Sequence, residues 1–240
     1  MKKLISLIVL LTITVTINAQ FFNKKINGNG NITTETRKIS NFDKISVGGS
    51  FHVELFKSNE NTITIKGDEN VLEFIVTEVE NNKLKIYFEK GYNINTRKAV
   101  QITVPFKNLE EVALAGSGDI ISNDVIEADT LETSIAGSGD IELKVSTNKL
   151  SSNVAGSGNT NFTGNTNDFN CSIAGSGDIM AYDLTSKIAT IKIAGSGDVK
   201  VNVTDEIHTS NVGSGDVYYK GNPSVIKAKS VGSGDIIDKN

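Results

Sequence analysis

The chain has 240 residues, with 24 Lys and Arg against 28 Asp and Glu, two histidines, one cysteine and no tryptophan. The mild net negative charge, with no basic cluster to follow a phosphate backbone, argues against nucleic acid as a partner. The lone thiol, Cys171, rules out an intramolecular disulfide, so stability must come from packing and hydrogen bonds.

Residues 1–19 read as a secretory signal peptide. Lys2 and Lys3 precede an apolar run over residues 4–15, and Asn18-Ala19-Gln20 gives a small-residue exit, with removal expected after Ala19. Nothing later resembles a membrane span, so an exported protein without a transmembrane segment is expected, in the periplasm, at the outer-membrane surface or outside the cell. Cleavage leaves 22 basic and 28 acidic side chains, a net charge of −6. No cysteine sits at the cleavage point to carry a lipid.

Residues 20–40 include Asn27-Gly28-Asn29-Gly30-Asn31 and are expected to form a flexible lead-in. Residues 41–105 are β-rich without a regular repeat. Ile75, Thr77 and Val79 are placed to pair with Leu84, Ile86 and Phe88 across the Glu80-Asn81-Asn82-Lys83 turn, and residues 70–73 suit one helical turn. Gly48-Gly49-Ser50 looks like a degenerate form of the marker described next. The segment is therefore either the first irregular coils of a solenoid, serving as its cap, or a separate small sheet domain.

Residues 106–237 carry the dominant signal. Gly-Ser-Gly recurs at Gly116-Ser117-Gly118, Gly137-Ser138-Gly139, Gly156-Ser157-Gly158, Gly175-Ser176-Gly177, Gly195-Ser196-Gly197, Gly213-Ser214-Gly215 and Gly232-Ser233-Gly234, at spacings of 21, 19, 19, 20, 18 and 19 residues. Around each marker β-branched and apolar residues alternate, as in Ile141, Leu143 and Val145, which is a strand period. A unit of about 19 residues cannot cover its own apolar face, so the units must stack on a shared core. A parallel β-helix of about seven coils, roughly 30 Å long at one strand spacing per coil, is the expected fold. The glycines mark a corner turned on every circuit, and the following aspartate is expected to lock it by an Asx-type turn.

These features together resemble a known family. The exported leader, Asn41-Phe42-Asp43-Lys44-Ile45, Gly67-Asp68-Glu69-Asn70 and the serial Ala-Gly-Ser-Gly-Asp-Ile are similar to the head GIN domains, described as autotransporter adhesin heads and common in Bacteroidetes. The resemblance covers about residues 40–237 and implies a right-handed parallel β-helix in the cell envelope. A looser similarity is to β-helical toastrack modules of envelope-stress systems.

Asp119, Asp140, Asp178, Asp198, Asp216 and Asp235 follow six of the seven markers and could form a calcium column, but one carboxylate per coil supplies few oxygens and the third marker carries Asn159. No metal or other cofactor is therefore expected. His52 and His208 lack ligand partners at helical or hairpin spacing and are expected to be solvated strand residues. Cys171 sits two residues before Ile173 in an alternating strand and reads as a small core residue. No nucleophile elbow or acid–base pair emerges, so no catalytic residue and no enzymatic activity are expected. Tyr182, Tyr218 and Tyr219 could form a small aromatic patch, although strand filler is the plainer reading. The last coil presents an open strand edge, which could support self-association or docking.

The functional reading is an exported, adhesin-like binding or scaffold module contacting protein or glycan at the envelope. A periplasmic envelope-stress or signalling partner is the alternative, and a polysaccharide-processing β-helix enzyme is third.

Overall fold

The computed structural model describes residues 24–240, so the expected signal peptide at 1–19 lies outside the described residues. The chain winds into a parallel β-solenoid of about seven turns, as the repeat predicts. Four long strands, β11 (Asp119–Gly137), β12 (Asp140–Gly156), β13 (Thr160–Gly175) and β14 (Ile179–Gly195), each run from one Gly-Ser-Gly corner to the next. They stack in parallel register, continued by β15 (Val199–Gly213), then by β16 (Val217–Lys220) and β17 (Val225–Gly232), and last by β18 (Ile236–Asp238) upon β16.

Alternation decides what faces inward. Ile120, Ile141, Thr160, Ile179, Val199 and Val217 occupy equivalent positions on successive coils and are buried. Core columns also balance volume between coils. Phe162 and Phe169, both on β13, meet edge to face at 6.0 Å between ring centroids. The next coil answers with small residues: Ala189 opposite Phe169, and Ala181 just past the Asn161–Met180 pair. Cys171 lies in an inward column between Ser152 and Ile191 and is buried, as expected.

The first circuit is irregular. It consists of β3 (Lys44–Gly49) and β4 (Phe51–Lys57), on which β10 (Glu111–Gly116) and β11 stack. Gly49 lies opposite Gly116 and shares its positive φ, +133° against +129°, so Gly48-Gly49-Ser50 does form a corner. On the other side, β7 (Lys83–Phe88) and β9 (Val100–Phe106) pair in parallel with β3 and β4. Antiparallel strands then close this end: β6 (Ile75–Glu80) on β7, and β5 (Thr62–Asp68) on β9. Ile75, Thr77 and Val79 pair with Phe88, Ile86 and Leu84, with Asn81 and Asn82 at φ 49° and 61° in the turn, as a two-residue hairpin requires. The helical turn, α1, spans Glu69–Leu72 and buries Val71 and Leu72. One core cluster of buried residues runs from Ile45 to Tyr219, continuous through the irregular first circuit and the regular coils.

Residues 24–38 depart from expectation. Instead of a flexible lead-in, β1 (Lys24–Asn27) pairs in parallel with β8 (Tyr92–Asn95), and β2 (Ile32–Lys38) pairs antiparallel with β5 over seven residues. The buried carboxylate of Asp68 pins the Gly-Asn segment by accepting the N–H groups of Gly30 at 2.6 Å and Arg97 at 3.1 Å. Gly28 makes this possible, because a Cβ there would fall 2.2 Å from the Asp68 carboxylate.

Candidate functional site

The recurrent corner needs glycine twice for two separate reasons. Gly156 has φ +127°, a region that residues with a side chain enter only at a cost. Gly177 has no such constraint, yet a Cβ would sit 1.9 Å from the carbonyl oxygen of Gly158 on the coil below. That close approach allows one glycine carbonyl to serve two donors. Gly137 O accepts the N–H of Ser157 at 2.8 Å and of Gly158 at 3.1 Å, and the pattern repeats from coil to coil.

The aspartates act between coils and not within the turn, which corrects the Asx-turn expectation. Asp140 Oδ1 accepts the N–H of Asn159 at 2.9 Å, Asn159 Oδ1 accepts that of Asp178 at 3.0 Å, and Asp178 Oδ1 accepts that of Asp198 at 2.8 Å. Asp198 and Asp216 continue the ladder to Asp216 and Asp235 at 2.7 and 2.8 Å. Each side-chain oxygen thus accepts the N–H of the equivalent residue on the next coil, so the cap is supplied by the neighbour. Asn159 has the required acceptor and also donates its amide to Asp140 Oδ1 at 2.9 Å, which relieves repulsion between stacked carboxylates.

His52 occupies the aspartate position of the first corner. It lies opposite Asp119 in register, with Nδ1 3.5 Å from Asp119 Oδ2. A histidine at the foot of a carboxylate column is a relation that sequence spacing did not reveal. The other histidine, His208, contacts Glu206 Oε2 at 3.0 Å on the same strand. Both are partly exposed. Among the described residues no three His, Cys, Asp or Glu side chains converge as metal ligands. Burial pushes the Cys171 thiol well above its ordinary pKa, which suppresses the thiolate.

The outward faces carry further ladders. Asn148 donates to Asp129 at 2.5 Å and Asn167 donates to Asn148 at 2.9 Å, while Ser172 donates to Asn153 at 2.7 Å. Shallow grooves follow these ladders, one lined by Glu127, Asp129, Asn148 and Asn167, another by Ser151, Asn153, Asn170 and Lys192. The 19-residue intervals between Asp129, Asn148 and Asn167 are a signal present in the sequence that the Gly-Ser-Gly marker does not include.

The three tyrosines part company. Tyr219 points inward and is buried, whereas Tyr182 and Tyr218 lie on the outward face of the late coils. Lys220 Nζ sits 4.5 Å from the Tyr182 ring centroid, and Lys239 Nζ sits 5.2 Å from that of Tyr218. The Tyr218 hydroxyl donates to Asp216 Oδ2 at 2.9 Å. Accepting the Asp235 N–H, and then the Tyr218 hydroxyl, holds the Asp216 carboxyl below its usual range. The same bond, with burial second, pushes the Tyr218 hydroxyl up to about 12. On the last coil Ile226 and Val231 are exposed and Ser230 donates to the carbonyl of Gly234, as the buried Asn211 one coil earlier donates to that of Gly215.

Solved structures share this architecture. A "putative adhesin" from Bacteroides fragilis superposes with a TM-score of 0.82 at 24% identity, covering 89% of this chain and 100% of that one. A "putative lipid binding protein" from Parabacteroides distasonis gives 0.75 at 32% identity, covering 90% and 100%. A "putative adhesin" from Parabacteroides merdae gives 0.72 at 25% identity over the same shares. Among curated proteins no match is found. Residues 41–223 match a family model that takes in the irregular first circuit and the regular corners alike, and the chain belongs to that family, described as "Putative auto-transporter adhesin, head GIN domain".

Proposed function

We propose that this protein is an exported, non-catalytic binding module displayed at the cell surface, where the solenoid serves as a rigid scaffold for adhesive contact. The observation that carries this reading is the consumption of the corner chemistry by the fold itself. Each ladder carboxylate from Asp140 to Asp216 spends an oxygen on the next coil, and the glycine carbonyls are likewise engaged. What remains outward is a set of mixed polar columns, among them Glu132, Ser151, Asn170 and Thr190, and Ser134, Asn153, Ser172 and Lys192, suited to multivalent contact with an extended partner. Membership of an adhesin-described family and the leader-like residues 1–19 support the same reading.

The test is proteinase accessibility on intact cells carrying the protein with an epitope placed after Ala19. Digestion is expected. Protection that is lost on permeabilising the outer membrane would overturn surface display and favour an envelope-stress or signalling partner in the periplasm.

A further inference from the structure

We propose that the outward face of the late coils, built on Tyr182, Tyr218, Lys200, Lys220 and Lys239, binds a carboxylated sugar of an acidic polysaccharide. This rests on the reading of the protein as a surface binding module and names its ligand class.

Register brings the residues together. Met180, Lys200 and Tyr218 follow one another along a single outward column, and Asn202 and Lys220 lie along the next. Lys239 extends that second column, its N–H bonded to the Tyr219 carbonyl at 2.9 Å. Lys220 and Lys239 are thus like charges on neighbouring strands, an arrangement that is unfavourable unless the charges part or an anion joins them. They part by folding over different rings, those of Tyr182 and Tyr218. Neither they nor Lys200 form an ion pair among the described residues, which contain six pairs closer than 4 Å, all elsewhere. The nearby Asp216 carboxylate accepts the Asp235 N–H on one oxygen and the Tyr218 hydroxyl on the other, which fixes the Tyr218 ring, and it forms no ion pair within 4 Å with the lysines.

Such a surface suits a ring that is apolar on its faces and anionic at its edge. An exposed cation–π contact is worth only about 0.5–1 kcal/mol, so a ligand carboxylate can draw the ammonium groups aside and the C–H face of a sugar can take their place on tyrosine. Met180 is the one large apolar side chain of the patch, 39% exposed, too little to enter a bilayer.

Affinity electrophoresis of the exported protein in gels containing polygalacturonate, or its fully methyl-esterified form, tests the assignment. Retardation by the acid form alone is expected, with roughly tenfold weaker binding in Lys220→Gln/Lys239→Gln, and in Tyr182→Ala a loss of severalfold. The two lysines are exposed, so the double variant keeps its fold, which circular dichroism verifies. Failure of the wild type to be retarded, equal retardation by the ester, or an unchanged double variant would overturn the proposal. Binding to phosphatidylglycerol vesicles with no retardation by polygalacturonate would overturn it in favour of a lipid surface. Surface display is read by proteinase on intact cells and is independent of these outcomes, so the two readings fail separately.

Discussion

Asp198 Oδ1 accepts a hydrogen bond from the backbone N–H of Asp216, 18 residues later and one coil on, at 2.7 Å. The bond shows why the aspartate follows the marker. The parallel ladder is interrupted where the chain turns, and a side-chain acceptor from the coil below takes over from the backbone. In Asp198→Ala the Asp216 N–H loses this acceptor at a partly exposed site, and unfolding in urea is expected to reveal a loss of about 1 kcal/mol. Asp198→Asn should cost less, because Asn159 already fills this role in its own coil.

Steric and torsional demands on glycine can be separated. Gly177→Ala places a methyl against the Gly158 carbonyl at 1.9 Å with no relief from a flexible neighbour, and is expected to abolish cooperative folding as followed by circular dichroism. Gly91→Ala is the contrasting case, since φ is +90° but no atom lies within 4 Å of the added carbon. There the expected cost is only conformational, about 1–2 kcal/mol.

Removal of Phe162 tests the core. Its ring rests on Phe169, and the coil above presents alanines at 181 and 189, which cannot extend into a void. Phe162→Ala is expected to lose about 4–5 kcal/mol in denaturant unfolding, the upper part of the usual range.

Much of this arrangement is legible in the amino-acid sequence. The 19-residue interval gave the coil, alternation gave the inward columns, and the Asn81-Asn82 turn gave the hairpin with its pairs. Each of these is a local signal, or a local signal repeated. The missed features depend on partners far away in the chain. Lys24 pairs with Tyr92 and Ile32 with Asp68, so the Gly-Asn composition of residues 27–31 spoke only for the turn and not for the strands on either side. The direction of the aspartate bond, and the place of His52 below Asp119, follow from stacking, which spacing alone does not orient. The Tyr–Lys face is half legible: the tyrosines stand out in the sequence, whereas the inward turn of Tyr219 and the meeting of Lys220 with the Tyr182 ring depend on stacking between coils.

The ladder also sets a pH response. Asp216 has its carboxyl depressed in the folded state, so its contribution to stability is complete above the ordinary carboxylate pKa of about 4 and is lost as pH falls through the lower folded value. Thermal unfolding between pH 7 and pH 2 is expected to show the melting temperature falling on the acid side. In Tyr218→Phe, which removes one of the two donors to Asp216, the Asp216 carboxyl resonance should titrate nearer its ordinary value. An unchanged titration would mean that the hydroxyl does not act on this carboxylate.

A binding scaffold retains its ligand and returns it unaltered. The most direct test incubates the exported protein with polysaccharides, polygalacturonate among them, and measures retained polymer and new reducing ends in the same samples. Retention without any rise in reducing ends is the predicted result. A rise in reducing ends that scales with protein concentration would contradict it and make the solenoid an enzyme.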